Sequence, residues 1–176
     1  KLYKDDCSKF ILVGSTHDAN KIHSYGGAVY TNRFKAVYKE LIPNQELQQC
    51  ELGNANFMYV TKDTINQIGF LYKGYQHGVA DYDYTLLANS ENINVFILPD
   101  YIGVCNNHEI STVDKFNTLR SIKERFRFII NPIGFAFKDN LIFQMRFFKH
   151  RVPFIVLAAM IRLISPKVYT YLFSRN

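Results

Sequence analysis

The apolar residues of this chain keep two different rhythms, and the change falls near Thr112. Ahead of it, short apolar runs end at glycine or proline. Phe10-Ile11-Leu12-Val13-Gly14 and Ile93-Asn94-Val95-Phe96-Ile97-Leu98-Pro99 both read as strands, and Tyr101 to Cys105 as another. Behind it, Leu119, Ile122, Phe126 and Ile129/Ile130 recur at helical spacing, with Arg120, Lys123, Arg125 and Arg127 between them, the pattern of an amphipathic basic helix. Two further helical stretches, Phe137 to Phe148 and Phe154 to Ile164, are set off by Asn131-Pro132-Ile133-Gly134, His150-Arg151-Val152-Pro153 and Ser165-Pro166. The expected architecture is an α/β part over residues 1–111, then a basic, Phe-rich helical tail over 112–176.

Charge divides at the same place. Residues 1–111 carry 9 Lys and Arg against 12 Asp and Glu, a balance of −3, whereas residues 112–176 carry 12 against 3, a balance of +9. A basic half of this kind points to an anionic surface as partner. Nucleic acid is the weaker choice, because the basic residues track helices full of core-type Phe and no nucleic-acid motif is present. Three scattered cysteines, Cys7, Cys50 and Cys105, fit a reducing compartment rather than a disulfide framework, and no Cys/His spacing suggests zinc. The longest apolar stretch, Val152 to Ile164, is interrupted by Pro153 and Arg162 and falls short of the ~20 residues a spanning helix needs.

Local signals fill in the first part. Ser15 to Asn20 reads as polar turn, and Gly26-Gly27 as a tight loop whose backbone is also open to direct ligand contact. It is not a phosphate loop, since neither GxGxxG nor GK[ST] is present. In Gly53-Asn54-Ala55-Asn56-Phe57-Met58-Tyr59-Val60 the second half reads as a strand, which puts Asn54 and Asn56 on one face; two amides there suit a polyhydroxylated ligand or a turn cap. Thr61 to Gly69 reads as a short helix with Thr61 as N-cap and Gly69 as the stop.

The chemically richest stretch is His77-Gly78-Val79-Ala80-Asp81-Tyr82-Asp83-Tyr84. If Asp81 to Asp83 opens a helix, both acids lie in its first turn, where the macrodipole stabilises negative charge; if the stretch is extended, both face one side. Either arrangement offers one carboxylate as general base and the other as orienter, although an ordinary Asp-rich helix start looks the same. Further on, His108 in the polar loop Cys105 to Glu109 is a candidate ligand for a metal or a diphosphate, or a surface His.

Taken in order, Tyr25-Gly26-Gly27, Gly53-Asn54-Ala55-Asn56, Ile68-Gly69, His77 to Tyr84 and Pro99-Asp100-Tyr101-Ile102-Gly103 resemble the second half of family 2 glycosyltransferases, over about residues 10–110. The resemblance implies a partial GT-A-like (Rossmann-like) α/β fold around a mostly parallel sheet. It also implies inverting transfer of a sugar from a nucleotide-sugar to a hydroxyl acceptor. Asp81 stands where the family has its catalytic base, and Asp83 at the second acid of the motif. Asn54, Asn56, His77, Gly26 and Gly27 join them as candidate acceptor- or sugar-binding residues, with His108 near the metal and diphosphate. Two positions depart: Ala80 replaces the usual Glu beside the base, and Leu87 stands where an Arg is common.

The family's nucleotide site and its Asp-x-Asp metal motif have no counterpart among these residues, so the chain resembles the acceptor-side half, and the 176-residue piece alone is expected to be inactive. A divalent cation, Mg or Mn, is expected in the intact enzyme. The implied setting is bacterial surface polysaccharide synthesis on a glycan or lipid-linked glycan, in the cytoplasm or at the inner face of the cell membrane. The tail then reads either as lying on an anionic bilayer or as packing on the domain or a second copy, a homodimer. The rival class is a non-catalytic interaction or membrane-surface module.

Overall fold

A computed structural model describes residues 8–106 and 112–173. It is a mixed α/β structure with eight strands and seven α-helices among those residues. The chain divides into two compact units, Lys1–Tyr72 with Ala80–Asn107, and Lys73–Val79 with His108–Asn176.

The first unit is built on β1 (Phe10–His17) and β8 (Asn94–Val104), which pair in parallel from Phe10↔Asn94 to His17↔Val104. Parallel neighbours need a crossover between them, and α2 (Ala80–Ser90) supplies its last leg, feeding directly into β8. Around this pair the ladder is antiparallel. On one side β1 meets β7 (Met58–Val60) and β2 (His23–Tyr25); on the other, β8 meets β5 (Gln48–Gln49). A second sheet orders β4 (Val37–Glu40), β3 (Gly27–Asn32) and β6 (Leu52–Gly53), all antiparallel. Only the β1–β8 pairing is therefore parallel among the described residues, against the expected mostly parallel sheet.

Alternation on the two central strands makes the core. Ile11 and Val13 of β1 and Val95 and Ile97 of β8 are fully buried, and Tyr84 and Ala88 of α2 cover them. Each such aliphatic side chain contributes on the order of 1.5–3 kcal/mol by leaving water. The α1 helix (Lys62–Ile68) has the expected ends: the Thr61 hydroxyl accepts from the Thr64 amide, and Gly69, at φ 75°, donates its N–H to the Ile65 carbonyl.

Three local expectations are corrected. Ser15 to His17 is not a turn but the end of β1, where the Thr16 and Ser24 hydroxyls pair at 3.0 Å. Pro99 does not end a strand, nor does Tyr101 begin a new one. The register jumps from Val13↔Ile97 to Ser15↔Tyr101, so Leu98, Pro99 and Asp100 bulge opposite Gly14 and β8 continues. Gly26-Gly27 is not a tight loop, since Gly26 alone separates β2 from β3 and Gly27 already lies in the sheet. The reason for glycine is close approach: a Cβ on Gly27 would lie 2.4 Å from Ile97 Cγ2 and 2.9 Å from Cys50 Sγ.

The second unit is helical: α3 (Thr112–Asn117), α4 (Ile122–Ile130), α5 (Phe137–Phe147), a 3₁₀ turn (Lys149–Arg151), α6 (Val152–Ile164) and α7 (Pro166–Phe173). The expected break between the second and third helical stretches is present but falls slightly earlier: α5 ends at Phe147, Phe148 is non-helical, and the 3₁₀ turn leads into α6, whose first turn takes Pro153. Ser121 and Glu124 close α4 with a reciprocal capping box, and those hydrogen bonds, with the Arg120 charge, hold the Glu124 carboxyl below the usual carboxylate range. Phe135 meets Phe116 and Phe128 edge to face, and Phe116 and Phe128 are tilted to each other, with centroids 5.0–5.8 Å apart.

Gly27→Ala should destabilise the first unit by about 1–3 kcal/mol through overpacking between β3 and β8. Urea denaturation of the two proteins reads the difference, and equal midpoints would show that the sheet has room there.

Candidate functional site

Because α2 leads straight into β8, it runs back along the sheet, and its first turn lies toward the carboxyl ends of β1 and β8. In open α/β sheets ligands collect at that edge. The helical alternative for Asp81 to Asp83 is the one adopted, with both acids in the first turn.

Asp81 is half-buried, and both carboxylate oxygens are held by backbone amides. Oδ1 accepts from Tyr82 N–H at 2.9 Å and Oδ2 from Ala55 N–H at 3.1 Å. The second bond fastens the turn 54–57 to the helix start. Beneath it the buried Thr85 hydroxyl accepts the Gly53 amide at 3.1 Å and faces the Asp81 and Tyr82 carbonyls at 3.2 Å. Among the described residues no ion pair engages Asp81. Two amide donors leave lone pairs on the carboxylate for a further donor.

The amide-bearing residues gather on the same turn, but not on a strand face. Asn54 and Asn56 precede β7, and Asn54 Oδ1 accepts from Asn56 N–H at 2.9 Å, the turn-capping alternative. The Asn54 amide donates to the Gly26 carbonyl at 3.0 Å. The Asn56 side-chain amide lies 3.6 Å from Cys105 Sγ at the end of β8. Gly26, Asn54, Asn56 and Asp81, far apart in sequence, thus form one connected network. Gly27 is buried in the sheet, so its contribution is packing and not ligand contact. Asp83 is 1% exposed, so its carboxylate is enclosed and does not line the surface beside Asp81. His77 belongs to the second unit, where it is exposed and its amide donates to Asp139 at 2.9 Å. His108 lies outside the described residues. Among the described residues no three His, Cys, Asp or Glu side chains converge as a metal site.

Four local features, two in each unit, escaped the sequence reading. Tyr82 stands edge-on to Tyr38, and Tyr38 to Tyr30, each pair 6.4 Å between centroids, and the Arg33 guanidinium lies 5.8 Å from the Tyr30 ring. This row runs from Asp81's neighbour onto the β3–β4 hairpin. At the carboxyl end of β1, the Ser15 hydroxyl and both ring nitrogens of His23 are buried without a hydrogen-bond partner, with the Glu40 carboxylate 3.9 Å from His23 and Tyr101 stacked near both His17 and His23. Asp139, 1% exposed, accepts the amides of Gln76, His77 and Gly78 at 2.9–3.1 Å, fixing that loop within the second unit. Its signal was readable: it is the one acid in the sequence after Glu124. Val79, at φ 58°, is a β-branched residue in the left-handed region immediately before α2, a strained entry costing on the order of 1 kcal/mol.

Burial raises three titrating groups in the first unit, Cys50, Tyr82 and Tyr84. The Cys50 thiol is pushed up to about 12, chiefly by burial and then by the Glu51 charge. The Tyr82 phenol is raised well above its ordinary value, first by burial, then by Tyr38, Asp81, Glu40 and Tyr30. Tyr82 therefore stays protonated throughout the working pH range and presents a neutral hydroxyl beside Asp81.

No protein-family model, curated protein sequence or solved structure matches the chain.

The raised thiol gives a pH prediction. An unfolded thiol ionises near 8.5, while the folded one keeps its proton to about 12. In that window the folded chain binds more protons, so the stabilisation is complete below the unfolded value and is lost as pH rises. Unfolding free energy should fall by on the order of 1 kcal/mol per pH unit above about pH 9. Urea denaturation at stepped pH should show this slope, and Cys50→Ala should flatten its lower part.

Proposed function

We propose that this chain is the acceptor-side portion of an inverting glycosyltransferase of the family 2 type, with a GT-A-like core and Asp81 as general base. The observation that carries the reading is the network around Asp81. The segments that supply the resemblance, Tyr25-Gly26-Gly27, Gly53 to Asn56 and the Asp81 helix start, are joined by hydrogen bonds, and they end on a half-exposed carboxylate held by two amides. The parallel β1–β8 pair with α2 leading into β8 is the supporting fold feature.

In this reading an acceptor hydroxyl lies against Asp81. As its oxygen attacks the anomeric carbon of a nucleotide-sugar, its proton passes to the carboxylate. The bond from that carbon to the diphosphate breaks, the diphosphate leaves with the electron pair, and the sugar configuration inverts. The Ala55 and Tyr82 amides keep the Asp81 carboxylate oriented until transfer. The exposed Tyr38, edge-on to Tyr82, offers ring surface that suits the apolar face of a sugar. Donor binding falls to residues other than these.

Asp81→Asn tests the assignment in the transferase carrying its donor-binding half. The amide keeps an oxygen for the Ala55 N–H but is no base. Turnover should fall by about 10²–10⁴-fold with nucleotide-sugar affinity and circular dichroism unchanged. Turnover within a few-fold of the parent would reject Asp81 as base.

A further inference from the structure

The second unit raises a different question, independent of glycosyl transfer. The α6 helix reads Val-Pro-Phe-Ile-Val-Leu-Ala-Ala-Met-Ile-Arg-Leu-Ile, apolar on nearly every side, yet none of its residues is buried. A helix apolar all round belongs in an interior. Its inner face is turned into the unit: Ile155, Ala158, Ala159 and Arg162 line a cavity with Ile129 and Phe135. Arg162 fixes that face. Its guanidinium lies 3.8 Å from the centre of the Phe135 ring and 4.0 Å from that of Tyr169, and it donates to the Tyr169 hydroxyl.

The opposite face is bare. Phe154 and Ile164 are 68% and 67% exposed, with Leu157 and Met160 between them, and α7 extends the stripe through Tyr171 and Leu172. Single exposed apolar residues are ordinary, but a contiguous stripe marks an interface. In the preceding helices Phe116, Phe143 and Phe148 are buried within the unit, whereas Phe126 is 51% exposed.

Charge identifies the occupant. From Asn140 to Asn176 the sequence has no Asp or Glu and six Lys or Arg. Lys149 and Arg151 precede α6, and Lys167 stands at the α6–α7 junction. There a cavity of about 730 Å³ is lined by Arg125 and Lys167 together with Ile164 and Tyr171 of the stripe. Arg125 is held in place by the Leu119, Arg120 and Leu163 carbonyls at 3.2–3.5 Å. A cationic cavity opening beside an apolar stripe matches a phosphate headgroup above acyl chains. With 13 residues, α6 is about 20 Å long, too short to cross a bilayer, and no described helix is long and apolar enough to do so. It suits the interface plane.

We propose that the outer face of α6 and α7 docks the chain onto an anionic phospholipid bilayer, with Phe154, Leu157, Met160 and Ile164 entering the acyl boundary. Lys149, Arg151, Lys167 and Arg125 would meet the headgroups. The test is sedimentation of the full chain with vesicles of phosphatidylcholine containing about one-third phosphatidylglycerol, against pure phosphatidylcholine. Binding is expected to the anionic vesicles, weakened at least about tenfold by Phe154→Glu with Ile164→Glu. Lys149→Glu with Lys167→Glu should weaken it at least about fivefold per position, as should raising salt to about 1 M. The substituted side chains point outward, so circular dichroism should stay unchanged. No binding to anionic vesicles overturns the proposal. So does binding that the Phe154 and Ile164 changes leave intact, or a dimer by ultracentrifugation that those changes dissolve while vesicles are ignored.

Discussion

The carboxylate of Asp81 grips the amide of Ala55, and the first unit is organised by that clasp. It closes the turn between β6 and β7 over the start of α2. The Thr85 hydroxyl, one helical turn deeper, takes the Gly53 amide and would leave it buried and unpaired if lost. Asn89, a further turn on, reaches the Cys50 and Glu51 carbonyls at 3.3 Å. One face of α2 thus spends its polar side chains on the backbone of a single neighbouring segment, while Tyr84 and Ala88 cover the sheet. The same contacts that fix the helix leave its first carboxylate at the sheet edge with bonding capacity to spare.

What the sequence made legible was local. Cap chemistry depends on a few adjacent residues, so Thr61 and Gly69 delimited α1 correctly, and the acids of Asp81 and Asp83 marked the first turn of α2. What it hid depended on partners remote in the chain. Pro99 reads as a stop until Gly14 on the opposite strand is seen to accommodate a bulge. Gly26-Gly27 reads as a loop until Ile97 and Cys50 are found pressed against it. Asn54 and Asn56 follow strand alternation only if a strand runs through them; their side chains cap a turn instead. The burial of Asp83 and the tyrosine row from Tyr82 to Tyr30 likewise come from packing that no short window contains.

The second unit separates two uses of aromatic and aliphatic area that composition alone leaves merged. Six of its phenylalanines meet ring to ring, around Phe116 and Phe143. Asp139 then draws three amides of residues 76–78 into the same unit, a charged acceptor serving several donors at once. The last two helices have their inner face turned into the unit and anchored through Arg162, so the apolar residues on the other face are held outward by the fold itself. That is why the basic charge of the tail and its exposed apolar surface are found together.

The central claim is that the carboxylate at position 81 accepts the proton of the attacking hydroxyl. Its most direct measurement is the pH–rate profile of kcat/KM for the proposed transferase carrying its donor-binding half, beside the same profile for the residual activity of the Asp81→Asn protein. The account predicts a limb of unit slope on the acid side that disappears in the variant, because ionisation of that one group then no longer governs the rate. An acid limb of the same slope and position in both proteins would contradict it and give the proton to another group.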